Sequence, residues 1–324
     1  MQEALKPTLA TQFEQDVRSG LTAFPKYLSS KYIYDRTGDR LFQQIMELPE
    51  YYLTKTEYQI IERHKTALAH HFSKGTKSFH LLEMGAGDGT KTKILLRHFT
   101  AQGLNFSYRP IDISASALRS LQDSLREELP QLKTAPLQGT YFETLSQLNF
   151  GPDQRKVILF LGSNIGNLLH DRAIEFLSQI QAYMAQDDLL FIGFDQKKDP
   201  QTILDAYNDS SGVTARFNKN LLVRINRELG GNFKVDAFKH WETYDPETGT
   251  AKSYLVATQP QDVRLEALDL DIHLNAWESI HTEISQKYDD ATVQWLAGQS
   301  GLTILEHFGD DRGYYKNYLF TKNL

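Results

Sequence analysis

The chain has 324 residues, no cysteine, and 35 basic against 41 acidic side chains, a net charge of −6. Without cysteine there is no disulfide scaffold, zinc–cysteine site, iron–sulfur cluster or thiol nucleophile, and a reducing compartment fits. The acidic balance removes the electrostatic case for nucleic acid, and 40% hydrophobic with 23% charged residues is an ordinary globular composition.

This length predicts about two domains. The start, Met1 to Pro7, has no basic segment followed by an apolar one and does not read as a signal peptide. The longest apolar run, 157–161, is far short of the roughly 18 residues a membrane helix needs. The expectation is a soluble cytoplasmic protein, monomeric, with no membrane or nucleic-acid partner.

Residues 10–65 read as helical and polar-aromatic, with Tyr32, Tyr34, Phe42, Tyr51, Tyr52 and Tyr58 set among charges. A buried strand over 79–84 precedes a glycine cluster and a helix with Ile94, Leu95 and Phe99 on one face. Further strands are predicted over 108–113, 157–161 and 189–194. A helix from Asp171, with Ile174, Leu177 and Met184 along its stripe, lies between the last two. Apolar strands alternating with helices imply a parallel sheet covered on both faces.

Asp199-Pro200 supplies an N-cap and an N1 proline for a helix running past Tyr207. A helix over 214–228, the pair Gly230-Gly231 and β segments over 235–244, 252–258 and 269–276 follow, with a turn at 245–249. A helix over 289–299 then leads to strands over 302–308 and 314–320, joined by a tight loop at 309–313. Residues 63–197 with 289–324 are expected to form one α/β domain. Residues 1–62 with 198–288 are expected to form a second, discontinuous α+β domain that binds substrate.

Glu83-Met84-Gly85-Ala86-Gly87-Asp88-Gly89-Thr90 ends a strand and opens a helix, where glycines let a ligand approach the main chain at the helix's positive end. A P-loop needs Gly-Lys-Ser/Thr, and here Gly89 is followed by Thr90-Lys91. The dinucleotide fingerprint needs a third glycine where Thr90 stands. What remains is E-x-G-x-G-x-G, the pattern of class I S-adenosylmethionine (SAM) methyltransferases. Asp112, at the end of the next strand, could accept from a ribose diol or could cap the following helix, a task Ser114 could also perform. The two closing antiparallel-looking strands suit a methyltransferase sheet.

On the acceptor side, Gly162-Ser163-Asn164-Ile165-Gly166-Asn167 follows an apolar strand, and ligands in open α/β sheets sit outside the carboxyl ends of strands. Asn167 offers a donor and an acceptor to a zwitterion, or makes an Asx turn before the helix. On an extended segment Glu283 and Ser285 point the same way; together they could grip a donor-rich ring such as imidazole, or form a solvated face.

Long scattered motifs join these observations. Tyr34-Asp35, Phe42, Leu48-Pro49-Glu50-Tyr51-Tyr52-x-Thr54-Lys55-Thr56-Glu57, Phe160-Leu161-Gly162-Ser163-x-Ile165-Gly166-Asn167 and Asp199-Pro200…Ala206-Tyr207-x-Asp209 are five of them. Gly212-Val213-Thr214-Ala215-x-Phe217-Asn218-x-Asn220 and Thr282-Glu283-x-Ser285-x-Lys287 complete the set. From about residue 12 to the C-terminus the chain resembles the histidine-specific methyltransferases of ergothioneine biosynthesis. The resemblance implies three successive methyl transfers from SAM to the α-amine of L-histidine, giving hercynine, on a class I Rossmann-like fold. It places Tyr51, Asn167 and Tyr207 on the amino-acid head, with Gly162 beside them, and Glu283 and Ser285 on the imidazole. Gly85, Lys91 and Asp112 would hold SAM.

Two departures stand out. Thr140 and Tyr141 fall where the family has Asp-Phe against the adenine, and Ser253-Tyr254 fall where it has a methionine near the imidazole. No metal is expected, since no His-x-x-x-His spacing occurs, and His70-His71 reads as surface. No dedicated base is assigned; Tyr34 and Tyr51 are expected to position the amine, with the aromatic N-terminal segment as a lid. The rivals are a SAM methyltransferase of another aromatic amino acid or amine, a non-catalytic SAM- or amino-acid-binding module and, more remotely, an NAD oxidoreductase.

Overall fold

The computed structural model describes residues 11–148, 150 and 154–323; the start of the chain read for a signal peptide lies outside them. In chain order the helices are α1 (Gln12–Thr22), α2 (Arg36–Glu47), α3 (Tyr52–Ser73), α4 (Thr92–Ala101), α5 (Ala115–Glu128), α6 (Tyr141–Gln147), α7 (His170–Tyr183), α8 (Pro200–Tyr207), α9 (Val213–Leu229) and α10 (Asp290–Gln299). The strands are β1 (Phe79–Met84), β2 (Phe106–Asp112), β3 (Leu137–Gln138), β4 (Arg155–Phe160), β5 (Leu189–Asp195), β6 (Phe238–Asp245), β7 (Thr250–Ala257), β8 (Gln261–Leu265), β9 (Leu270–Leu274), β10 (Ser279–Gln286), β11 (Leu302–Gly309) and β12 (Tyr315–Lys322). None of the described helices is long and apolar enough to cross a membrane.

By internal contacts the chain divides into a larger unit, Leu53–Lys198 with Gln286–Leu324, and a smaller one, residues up to Tyr52 with Asp199–Ser285. The larger unit begins at Leu53 rather than at 63, because α3 buries Ile60, Ile61, Leu68 and Phe72 in its core beside Phe79, Leu81 and Phe99. Its sheet runs β11-β12-β5-β4-β1-β2-β3. β1 pairs parallel with β2 and β4, and β4 with β5, whereas β12 runs antiparallel to both β5 and β11. All of β5 is buried, as a strand covered on both faces requires. A parallel sheet in which a single strand, β12, is reversed is the class I methyltransferase arrangement. It turns the carboxyl ends of β1, β2 and β4 to one edge, where ligands bind in open α/β sheets.

In the smaller unit, β10-β7-β6 form one sheet and β8-β9 a hairpin. The 245–249 turn joins β6 to β7 with Gly249 N–H on Asp245 O at 2.8 Å. β8 and β10 were not among the strands expected; β10 carries Thr282, Glu283 and Ser285. α8 stops at Tyr207 instead of running past it, since Asn208 leaves helical geometry at φ −141°. α9 starts at Val213 because Asp209 accepts the N–H groups of Val213 and Thr214 at 2.9 and 2.7 Å. Burial pulls the Asp209 carboxyl up, but the Ser211 hydroxyl, which donates to it at 2.6 Å, and these N–H bonds hold it down at about 2. Asp35 caps α2, accepts from Asn220 of α9 at 2.9 Å and pairs with Arg227 at 2.7 Å. Asp35, Asp209 and Asn220 of the motifs are therefore tie-points that fix α2 and α9.

Candidate active site

Within the larger unit the chain leaves β1 through a turn that has Gly85, Gly87 and Gly89 at φ +73°, +53° and +67°. L-residues with a side chain rarely adopt that region, so the turn requires glycine. A Cβ at Gly85 would also stand 2.8 Å from the Tyr141 hydroxyl, whereas one at Gly87 would meet nothing within 4 Å. Asp112 does not cap α5; Ser114 does, accepting from Ala117 N–H. Asp112 instead takes the Gly87 N–H on Oδ2 at 3.1 Å and the Ser114 N–H on Oδ1 at 2.9 Å. Its carboxylate is thereby fixed at the end of β2 beside the glycine turn. An open backbone cradle with an oriented carboxylate one strand away suits a nucleoside with a ribose diol, so these residues fit SAM.

Tyr141 closes the same corner. Burial pushes its phenol up to about 12, and Asp112 adds to the shift. Thr140 is exposed and commits its hydroxyl to Glu143 at 2.6 Å, in a capping box that starts α6. Asn167 is exposed at the end of the short 3₁₀ turn 164–167, and Leu169 rather than Asn167 is the N-cap of α7.

Gly162, at φ +79°, follows β4; a Cβ there would lie 3.4 Å from Lys91 Nζ and 3.7 Å from Asn164 Nδ2. The turn therefore brings Lys91, Gly162 and Asn164 together. One residue without an assigned role organises them. Glu57 of α3, wholly buried, pairs with Lys91 at 2.5 Å and accepts the Gly162 N–H at 2.8 Å and Asn317 Nδ2 at 2.8 Å. Helical spacing carries the signal for it: Leu53, Glu57 and Ile61 recur every four residues, on a face otherwise apolar. Glu83, the first residue of the glycine motif, is buried and accepts from Thr92 and Tyr108. Burial raises its carboxyl to about 7 against the pull of those hydroxyls and of Lys91.

Within the smaller unit the aromatic residues of the N-terminal motifs gather on α8 and α9. Tyr34 packs edge-on against Phe42 and Phe217, with centroids 5.6 and 5.3 Å apart, and Tyr51 meets Tyr207 at 6.2 Å. Tyr207 and Ser285 place their hydroxyl oxygens 2.7 Å apart, both side chains buried. Tyr34 is 37% exposed as a residue, yet burial surrounds its hydroxyl. That burial, then the charge of Glu283 and the phenols of Tyr51 and Tyr207, hold it well above the ordinary tyrosine value. Five residues from separate stretches of the sequence, Tyr34, Tyr51, Tyr207, Glu283 and Ser285, are thus one cluster.

The departures have local reasons. Ser253 is buried and donates to Glu242 at 2.5 Å, while its carbonyl accepts the Thr282 hydroxyl at 3.1 Å. Tyr254 lies against His281, with ring centroids 5.4 Å apart. His70 is exposed, but His71 is only partly so and pairs with Glu306 at 2.5 Å.

The family described as histidine-specific, SAM-dependent methyltransferases matches residues 13–322. The histidine N-alpha-methyltransferase of Mycolicibacterium smegmatis is 36% identical over 94% of this chain and 93% of its own length. That of Mycobacterium tuberculosis is 35% identical over 92% and 91%. The ergothioneine biosynthesis protein 1 of Schizosaccharomyces pombe is 26% identical over 91% of this chain and 39% of its own. A match over nearly the whole chain, carried by a glycine turn with its carboxylate and by the tyrosine cluster around Glu283, makes this protein a member of the histidine-specific, SAM-dependent methyltransferases.

Proposed function

We propose that the protein transfers three methyl groups in succession from SAM to the α-amine of L-histidine, giving hercynine. The observation that carries the substrate reading is the Tyr207–Ser285 hydroxyl pair with Glu283 close enough to shift Tyr34. In this reading Glu283 and Ser285 take the ring N–H groups, and Tyr51, Tyr207, Gly162 and Asn167 orient the amino-acid head. Gly85, Lys91, Asp112 and Tyr141 hold SAM, with Thr140 at the edge of that site.

SAM supplies a methyl group on a sulfonium, open to in-line displacement without a metal. The chain's part is positioning and desolvation of a neutral amine. Tyr34, its phenol held far above neutrality, stays protonated and serves as a hydrogen-bonding partner to the amine, not as a phenolate base. The amine proton leaves through water at the tyrosine hydroxyls. As methyls accumulate, the nitrogen loses its donors and keeps a fixed charge, which tyrosine faces stabilise by about 0.5–2 kcal/mol. We infer a cytoplasmic monomer; the absence of cysteine suits a reducing compartment.

The test is product mass spectrometry after incubation with SAM and each of histidine, tryptophan and tyrosine. Histidine gaining three methyls with the others untouched is the expected result. Turnover of another amino acid alone would move the specificity to the Ser253-Tyr254 segment. SAM binding without any turnover would favour the binding-module reading.

A further inference from the structure

Glu57 is a buried carboxylate to which the reading above gives no task. Its side chain has no solvent exposure, whereas the Lys91 it pairs with at 2.5 Å keeps 19%. The partners of Glu57 come from the end of the glycine turn (Lys91), the turn after β4 (Gly162 N–H) and β12 (Asn317). β5 makes room for it: a Cβ at Gly193 would overlap the Glu57 carboxylate and the Tyr315 hydroxyl. Stability alone is a poor account of such a group, because a buried ion pair roughly breaks even against apolar packing. What the arrangement does is orient. An ammonium has three donors on a flexible stem. Glu57 takes one, holds the stem still and leaves the others near the Gly162 turn.

We propose that Glu57 is a positioning residue for methyl transfer, a single carboxylate that sets both the cofactor-side lysine, Lys91, and the acceptor-side amide of Gly162. The proposal rests on the reading that Lys91 is one of the residues that hold SAM. Glu57 touches neither reactant and acts through Lys91, so substituting either residue removes the same interaction.

The experiment is a double-mutant cycle on SAM affinity, measured calorimetrically with the full-length protein for wild type, Glu57→Gln, Lys91→Met and the double variant, alongside thermal melts. Each single change is expected to weaken SAM about 10- to 100-fold, the loss of one charge-assisted contact, and the double to lie within about threefold of the weaker single. Steady-state kinetics should show KM for SAM rising more than KM for histidine, a split that general loosening would not produce. Asn317→Ala, which removes only a neutral donor to Glu57, should leave SAM affinity within about twofold. Should Glu57→Gln fail to fold, Glu57→Asp draws the carboxylate back by one methylene and is expected to weaken SAM to an intermediate degree. Unchanged SAM affinity in the Glu57 variant, or multiplicative losses in the double, would overturn the proposal. Lys91→Met binding SAM like wild type would instead sink the assignment of Lys91 to SAM, which the cycle reports separately.

Discussion

Replacing Glu283 by alanine tests the substrate side most directly. Glu283 lies partly buried on β10, two residues before Ser285, and its charge raises the phenol of Tyr34. A hydrogen bond to a charged group contributes about 1.5–3 kcal/mol, so histidine affinity should fall about 13- to 160-fold. SAM affinity should stay nearly constant, because Glu283 is not among the residues proposed to hold SAM. A second readout comes from Tyr34. Without Glu283 the negative charge that opposes its ionisation is gone, so its phenol moves back toward the ordinary value and the alkaline limb of kcat/KM shifts to lower pH. Titration calorimetry with histidine, then with SAM, gives the affinities, and Glu283→Gln separates charge from shape. If histidine bound Glu283→Ala as it binds wild type, Glu283 would not read the ring and the imidazole assignment would fall.

Gly85→Ala forces a residue with a side chain to φ +73° and sets a Cβ 2.8 Å from the Tyr141 hydroxyl; about 1–2 kcal/mol of strain should appear as weakened SAM binding in calorimetry, with histidine affinity much less affected. Tyr207→Phe removes the 2.7 Å hydroxyl contact and leaves Ser285 buried with less to bond; a stability loss of about 1–3 kcal/mol by urea titration, with raised KM for histidine, is expected. His240 on β6 is buried, with neither ring nitrogen hydrogen-bonded among the described residues, and burial drops it to about 4. Neutral in the fold but protonated when unfolded below about 6.5, it contributes fully above that pH. The contribution is lost as pH falls toward about 4. His240→Leu should therefore flatten the stability–pH curve in that window, and an unchanged curve by denaturant titration would refute the assignment. Asp35→Ala deletes the α2 cap and its ties to Asn220 and Arg227; a loss of about 1–2 kcal/mol is expected. Because Asp35 is held near 2, that loss should be full at neutral pH and vanish as pH falls through 2.

Much of the fold was legible because local rules write it. Apolar strands alternating with helices, glycines at a strand-to-helix turn and Asp199-Pro200 each depend on a few neighbouring residues. Residue types alone also marked Asp112 as a carboxylate at a strand end, and the closing antiparallel pair as part of the sheet. Ambiguities of role were another matter. Whether Asp112 or Ser114 caps α5 depends on which side chain reaches the Ala117 N–H, a geometric fact that both residue types allow. Glu283 and Ser285 could have been a solvated face until Tyr207, 78 positions away, supplied the partner that buries Ser285.

Motif residues divide in the same manner. Tyr34, Tyr51 and Tyr207 form the cluster, whereas Asp35, Asp209 and Asn220, equally prominent in the sequence, turn inward to fasten helices. A polar side chain in a motif has the same letter whether it faces ligand or backbone. The sequence by itself determined the class of chemistry, through the glycine turn and the order of its elements, because backbone conformation and burial periodicity are properties of short segments. Tertiary structure alone decided that Glu57 ties Lys91 to Gly162 and that Ser285 answers to Tyr207. Those pairings join residues tens of positions apart, and only the packed sheet and helices bring their polar atoms within hydrogen-bond reach.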